Sequence, residues 1–421
     1  MCSVSGALPA HVPAARHASA PGLRILSVCQ TLPTPANPGA GVFVLNRLRA
    51  MRELAAVDVL QPVPFFPGVR PSPSWAAADS HASGDVQIHH QPMFYLPGVL
   101  KSLDSRWMER SIRSWIRRHA VTNPVDIIDA HFGYPDGVAC TRAARRLGLP
   151  VFVTVRGHET DFIKLPLIGN QLREALNGAT GCISVSHSLR DLLVRHGVRA
   201  EQMTVIPNAV DRSVFRPGDR AAARQALGLP EQAPLIVSVG HLISGKRHHI
   251  LVQALQQLLK SQPDAKLAII GGAAYQPQYP AQLRKLVGEL GLDERVRFVD
   301  RVPPAQVAQW LQAADVFALM TEREGCCNAV LEALASGLPV VTTPVGDNAH
   351  FISEGRNGFL VPVDDPHAAA NSLDRALRQQ WDSARISREL AVGSWSQTGA
   401  AVIDFMRARL ALRAPLSGVA S

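Results

Sequence analysis

The chain has 421 residues, with 43 lysines and arginines against 34 aspartates and glutamates for a formal charge of +9, and it is 47% hydrophobic, 18% charged and 5% aromatic. That length allows two or three domains, each with its own core, and the apolar content excludes a disordered chain. No stretch approaches the roughly 18–20 uninterrupted apolar residues of a membrane span, and the six cysteines (Cys2, Cys29, Cys140, Cys182, Cys326, Cys327) form no C-x-x-C pair, which argues against a disulfide framework or structural zinc and fits a reducing cytosol.

In chain order, residues 1–22 are rich in Ala, Pro, Ser and His and lack the apolar run of a secretory signal. They read as a disordered tail, and the expected location is cytoplasmic. From Arg24 onward, short β-branched apolar runs alternate with helical patterns. The first run is Ile25–Val28. Pro38-Gly39-Ala40-Gly41-Val42 follows it, and small residues there let backbone approach a phosphate or an acceptor closely. The alternative is an ordinary Gly-rich turn. Residues 71–86, rich in Pro, Ser, Ala and Asp, read as a surface loop.

Residues 101–119 carry Met108, Ile112, Trp115 and Ile116 on one helical face and Arg106, Arg110, Arg113 and Arg117 on the other. The arginine stripe suits an anionic inner-membrane surface, which would make the protein peripheral on the inner face of the plasma membrane. The plainer reading is a surface helix packing its apolar face on the domain, and the two are compatible.

Three further runs, Ile127–Ile128, Val151–Val155 and Ile183–Val185, lead to Val205–Ile206. His131 ends the first of them and is assigned to acceptor-side binding, against a structural hydrogen bond. Arg156 and His158 end the second, where a cation suits a diphosphate or a charged sugar. A salt bridge to Glu159 or Asp161 is the plain alternative for them. Turn chemistry (Pro207, Asn208, Pro217, Gly218, Gly228, Pro230, Pro234) then separates a second series. Its runs are Leu235–Val239, Leu267–Ile270, Val296–Val299, Val316–Leu319 and Val340–Thr342.

Non-alternating runs of this kind fit strands buried on both faces of a parallel sheet. The pattern predicts an α/β protein of two Rossmann-like, doubly wound domains, residues 23–210 and 216–395. Residues 396–415 read as a last helix returning to the first domain, with Val402, Phe405, Met406 and Leu410 on one face. Ligands of such sheets sit at the carboxyl ends of the strands, here in the cleft between the domains.

The strongest motif runs from Glu324 through Gly325, Cys326, Cys327 and Asn328 to Glu332 and Gly337. It places a helix N-terminus, with free amides and partial positive charge, beside a strand end. Glu324 and Glu332 are eight residues apart, roughly 12 Å along a helix. They therefore cannot share one proton but can hold two parts of an elongated ligand. A solvated helix face is the alternative.

This segment, E-G-x-x-N-x-x-L-E-A-L-A-S-G-x-P-V-V, resembles the E-x7-E signature of family 4 of retaining GT-B glycosyltransferases. Val239-Gly240-His241-Leu242 with Lys246 resembles the family's V-G-R-L-x-x-x-K-G. Ile206 to Asp211 with Phe215 and Pro217 resembles I-P-N-G-V-D-x-x-x-F-x-P, and Gly355 to Val361 resembles G-x-N-G-x-L-V. Asn37 to Leu45 resembles a sub-group acting on bacterial envelope polysaccharides.

The resemblance, covering residues 24–395, implies a GT-B fold and a nucleotide-diphosphate sugar as co-substrate, with no cofactor and no metal. The acceptor would be a glycan or lipid-linked saccharide. Glu324 would contact the donor sugar, and Gly325, Cys326 and Cys327 would offer amides. Glu332 would bind the ribose and Lys246 the diphosphate. Gly240, Asn208, Asn328 and Gly41 would line the donor site. His241 stands where the family has an arginine, so Arg247 either supplies that cation or faces solvent. Many members place a histidine where this chain has Arg156, leaving the sugar-facing role to Arg156 or His158. The competing class is a polyanion- or nucleic-acid-binding protein without catalysis. It would need interleaved aromatics along a basic face, and the chain has only four tyrosines.

Overall fold

The computed structural model describes residues 22–35, 37, 39–66, 80–96, 98–119, 123–274 and 276–413. The tail expected at residues 1–22, apart from Gly22, lies outside them, as do residues 71–79 of the expected loop, Pro38, and residues 414–415 of the expected last helix.

Two parallel sheets organise the chain. The first holds β1 (Arg24–Val28), β2 (Ala56–Phe65), β3 (Ser80–Ser83), β4 (Val86–Phe94), β5 (Ile127–His131), β6 (Val151–Val155), β7 (Gly181–Ser184) and β8 (Met203–Val205), in the order β3-β4-β2-β1-β5-β6-β7-β8. Only the β3–β4 pairing is antiparallel. The second holds β9 (Leu235–Val239), β10 (Lys266–Ile270), β11 (Val296–Val299), β12 (Val316–Leu319), β13 (Val340–Thr342) and β14 (Gly358–Leu360), in the order β11-β10-β9-β12-β13-β14.

Adjacent residues of one strand feed opposite cores. In β1, Leu26 and Val28 join a cluster with Met108, Ile112, Leu172 and Leu193, whereas Ile25 joins Val44, Leu48, Met51, Val402 and Met406. In the second sheet Ile236 and Val237 divide the same way. Burial on both faces is why the runs lack alternation.

Two long strands escape the sequence pattern. In β2, Pro62 and Pro64 break the run and speak against a central strand. The register shows why they are tolerated. Residues 56–60 face β1 while residues 59–65 face β4, so both prolines lie beyond the last residue opposite β1. In β4, His89, His90 and Pro92 dilute the apolar signal.

The helix Trp395–Ala411 lies against the helix Val42–Arg52 of the first domain, where Gly399 allows close approach: a Cβ there would meet the Ala50 Cβ at 2.8 Å. The chain therefore crosses between the domains twice. In the helix Asp104–His119, Met108, Ile112, Trp115 and Ile116 are buried. Arg106, Arg110 and Arg117 are exposed together with Arg118, whereas Arg113 is half-buried and pairs with Glu109 at 3.2 Å. The stripe is thus three of the four expected arginines plus one more.

Candidate active site

The carboxyl ends of both sheets meet across the cleft. On the second domain, β12 leads into the loop Thr321–Cys327 and then the helix Asn328–Ala335. Cys327 at its N-cap makes no side-chain cap, and no acid lies in the first turn. Free amides and the dipole's positive end therefore stay available to an anion. Glu324, just before this helix, is in contact with Lys246, which comes from the turn after β9; both side chains are largely shielded, at 10% and 19% exposed. The two charges satisfy each other here and stand ready to separate onto a ligand with hydroxyls and phosphates.

Glu332 lies one turn into the helix, partly buried, and its carboxylate has no hydrogen-bond partner among the described residues. Loss of hydration alone pushes its carboxyl up to about 8. A half-buried carboxylate without a protein donor is open to one that a ligand provides. Cys326 and Cys327 contribute backbone rather than thiolate. Burial pushes the Cys326 thiol up to about 12 and raises that of Cys327 as well.

Gly240 and His241 follow β9 beside Lys246. Loss of hydration, Arg301 and Lys246 lower the His241 imidazole from the ordinary histidine value. Arg247 does not face free solvent. It pairs with Glu322 and, at 2.9 Å, with Asp364. His248, behind the loop, is buried, and its imidazole falls to about 3.

On the first domain, Gly41 precedes the helix Val42–Arg52 at φ 61°. A Cβ there would sit 2.0 Å from the Thr31 carbonyl oxygen, so only glycine fits. His131 is fully buried. Its Nε2 lies 2.9 Å from Ser27 Oγ and 3.2 Å from Asp129, and its Nδ1 lies 3.1 Å from Arg156. Burial outweighs Asp129 and brings its imidazole down to about 4. The hydrogen-bonding alternative for His131 is the one this geometry matches.

Arg156, 8% exposed, donates to Asn208 Oδ1 at 3.0 Å, and Asn208 donates to Asn328 Oδ1 at 3.0 Å. His158 is exposed and stacks on Phe132 with centroids 5.3 Å apart. Of the two, His158 presents the more open ring and Arg156 the deeper charge. The salt bridge to Glu159 is not made: Glu159 accepts instead from the amides of Gly133, Arg156 and Gly157.

Three cross-cleft contacts were not anticipated from sequence. Arg323 donates to Asp161 at 2.6 Å, Arg301 contacts Asn37, and Asp347 accepts from the backbone amides of His187 at 2.8 Å and Ser188 at 2.9 Å. Each pairs residues far apart in the chain without a local motif. Gly325 itself abuts the other domain, where a Cβ would lie 2.3 Å from the Arg156 carbonyl oxygen.

Comparison with known proteins gives the same assignment. Residues 219–390 match the family model described as Glycosyl transferases group 1, and residues 38–214 match Glycosyltransferase Family 4. The D-inositol 3-phosphate glycosyltransferase of Frankia alni is 31% identical over 399 residues, covering 89% of this chain and 96% of that protein. The chain belongs to this glycosyltransferase family.

The glycosyltransferase also shares its fold with solved structures. Sucrose-phosphate synthase from Thermosynechococcus elongatus superposes with TM-score 0.74 at 20% identity, over 93% of this chain and all of that one. Anabaena HepE in complex with UDP and glucose gives 0.68 at 20% identity, over 92% and 100%. The two-domain GT-B architecture is thereby shown. No helix among the described residues is long and apolar enough to cross a membrane.

Proposed function

We propose that this glycosyltransferase takes its sugar from a nucleoside diphosphate sugar, transfers it with retention of anomeric configuration, and needs no metal. The observation that carries this reading is the Glu324–Lys246 pair set at the uncapped N-terminus of the Asn328–Ala335 helix. Lys246 and the helix amides would meet the charge that grows on the leaving diphosphate. Glu324 would then accept from sugar hydroxyls. Glu332, without a donor of its own, suits the ribose. Retention would follow if the leaving phosphate takes the acceptor's proton on the same face. That route needs no carboxylate pair at glycosidase spacing.

The acceptor we infer is a glycan or lipid-linked saccharide reached from the cytoplasmic side. Support comes from the exposed Arg106, Arg110, Arg117 and Arg118 and from exposed Val99, Leu100, Leu165 and Leu167, cationic and apolar groups of the kind that dock on an anionic bilayer. A small phosphorylated acceptor is the second reading, favoured by the name of the Frankia relative.

The test is a panel of nucleotide sugars scored by nucleotide release and by the anomeric configuration of the product. Wild type should release nucleotide, and Glu324→Ala and Lys246→Ala should not. Full activity in Glu324→Ala would remove the central assignment.

A further inference from the structure

We propose that Arg156 is a recognition cation for an anionic oxygen group, a carboxylate or a phosphate, that one of the two substrates brings to the floor of the cleft. The inference rests on the transferase reading above and names the chemistry of a substrate for that site.

Arg156 follows the last residue of β6. On one side its backbone touches Gly325 of the donor loop, and on the other its guanidinium lies 5.2 Å from the Phe43 ring, in the first turn of the helix after Gly41. It therefore sits between the two glycine-bearing loops that border the cleft.

Among the described residues no carboxylate pairs with it. Nη1 bonds Asn208 and Nη2 bonds the neutral His131, while Nε has no partner among the described residues. The nearby acids are occupied elsewhere. Asp129 serves His131 and Arg47, and both oxygens of Glu159 accept backbone amides. A guanidinium that is nine-tenths buried and lacks an anion is expensive to maintain. A planar fork already held by two neutral neighbours matches a carboxylate or phosphate better than a hydroxyl. A neutral imidazole at the same place would suit a hydroxyl.

Two sources supply that chemistry: a uronic acid on the donor, or a phosphate on the acceptor. Calorimetric titrations separate them. UDP-glucuronate is compared with UDP-glucose, and inositol 3-phosphate with inositol in the presence of UDP. The expected result is at least tenfold tighter binding of the anionic member in one pair, lost in Arg156→Gln and partly kept in Arg156→Lys. Arg156→His serves the same comparison if the glutamine variant does not fold.

Equal binding within both pairs by wild type overturns the proposal. So does a preference that survives loss of the guanidinium. A wild type that binds no UDP or nucleotide sugar at all refutes the transferase reading instead, so the two failures are distinguishable.

Discussion

Gly325→Ala tests whether the donor loop must touch the opposite domain. Gly325 is buried at the interface, and an added Cβ would lie 2.3 Å from the Arg156 carbonyl oxygen, 2.8 Å from its carbonyl carbon and 3.1 Å from Gly157 Cα. All three are backbone atoms that cannot rotate away. Ordinary contact begins at 3.4 Å, so the loop or the whole domain must retreat by about 1 Å. A misplacement of that size costs about 10²-fold where two reactants must be aligned. The perturbed surface lies outside the cores, so the melting temperature should stay close to wild type. Steady-state kinetics with the best nucleotide sugar should show kcat/KM down about 100-fold. A kcat/KM within twofold of wild type, with the alanine confirmed, would refute the reasoning that these backbones must meet for transfer.

Other expectations follow from the same geometry. The raised Glu332 carboxyl disfavours the folded state as pH rises. Its stabilising share is complete below the unfolded value near 4.5 and is lost by about 8. Urea titrations should therefore show wild type losing up to about 1.4 kcal/mol per pH unit against Glu332→Gln across that window, levelling above it. UDP affinity should rise over the same span in wild type, as the carboxylate becomes available to ribose hydroxyls, and stay flat in the glutamine variant. EDTA should leave transfer intact if, as proposed, Lys246 and the helix amides meet the diphosphate charge; strong inhibition would contradict that role. Replacing Arg106, Arg110, Arg113 and Arg117 with glutamine should weaken salt-sensitive binding to anionic vesicles, and unchanged binding would remove this helix from the membrane.

The sequence is most readable where a single segment carries the information. The apolar runs mark ten of the fourteen strands, because burial on both faces keeps most of their positions apolar. The donor loop and helix are contiguous, so the roles expected for Glu324, Asn328 and Glu332 came from one stretch. What stayed hidden depends on partners distant in the chain. Arg247 is settled by Glu322 and by Asp364, which lies 117 residues away. His131 turns inward because Ser27 of β1 and Arg156 just past β6, both distant in the chain, converge on it beside Asp129 of its own strand. In β2, proline tolerance depends on where a neighbouring strand stops, and no local pattern records that.

The return of the last helix to the first domain has a consequence for how such proteins can be recombined. Val402, Ile403 and Met406 complete the core beneath the helix that follows Gly41. A fragment ending at the linker would expose that apolar face and leave the glycine loop without support. The halves are therefore not exchangeable cassettes. A chimera that imports a new first domain must also import its own C-terminal helix, and a split protein cut at the linker should reassemble only if residues 395–411 remain attached to one fragment.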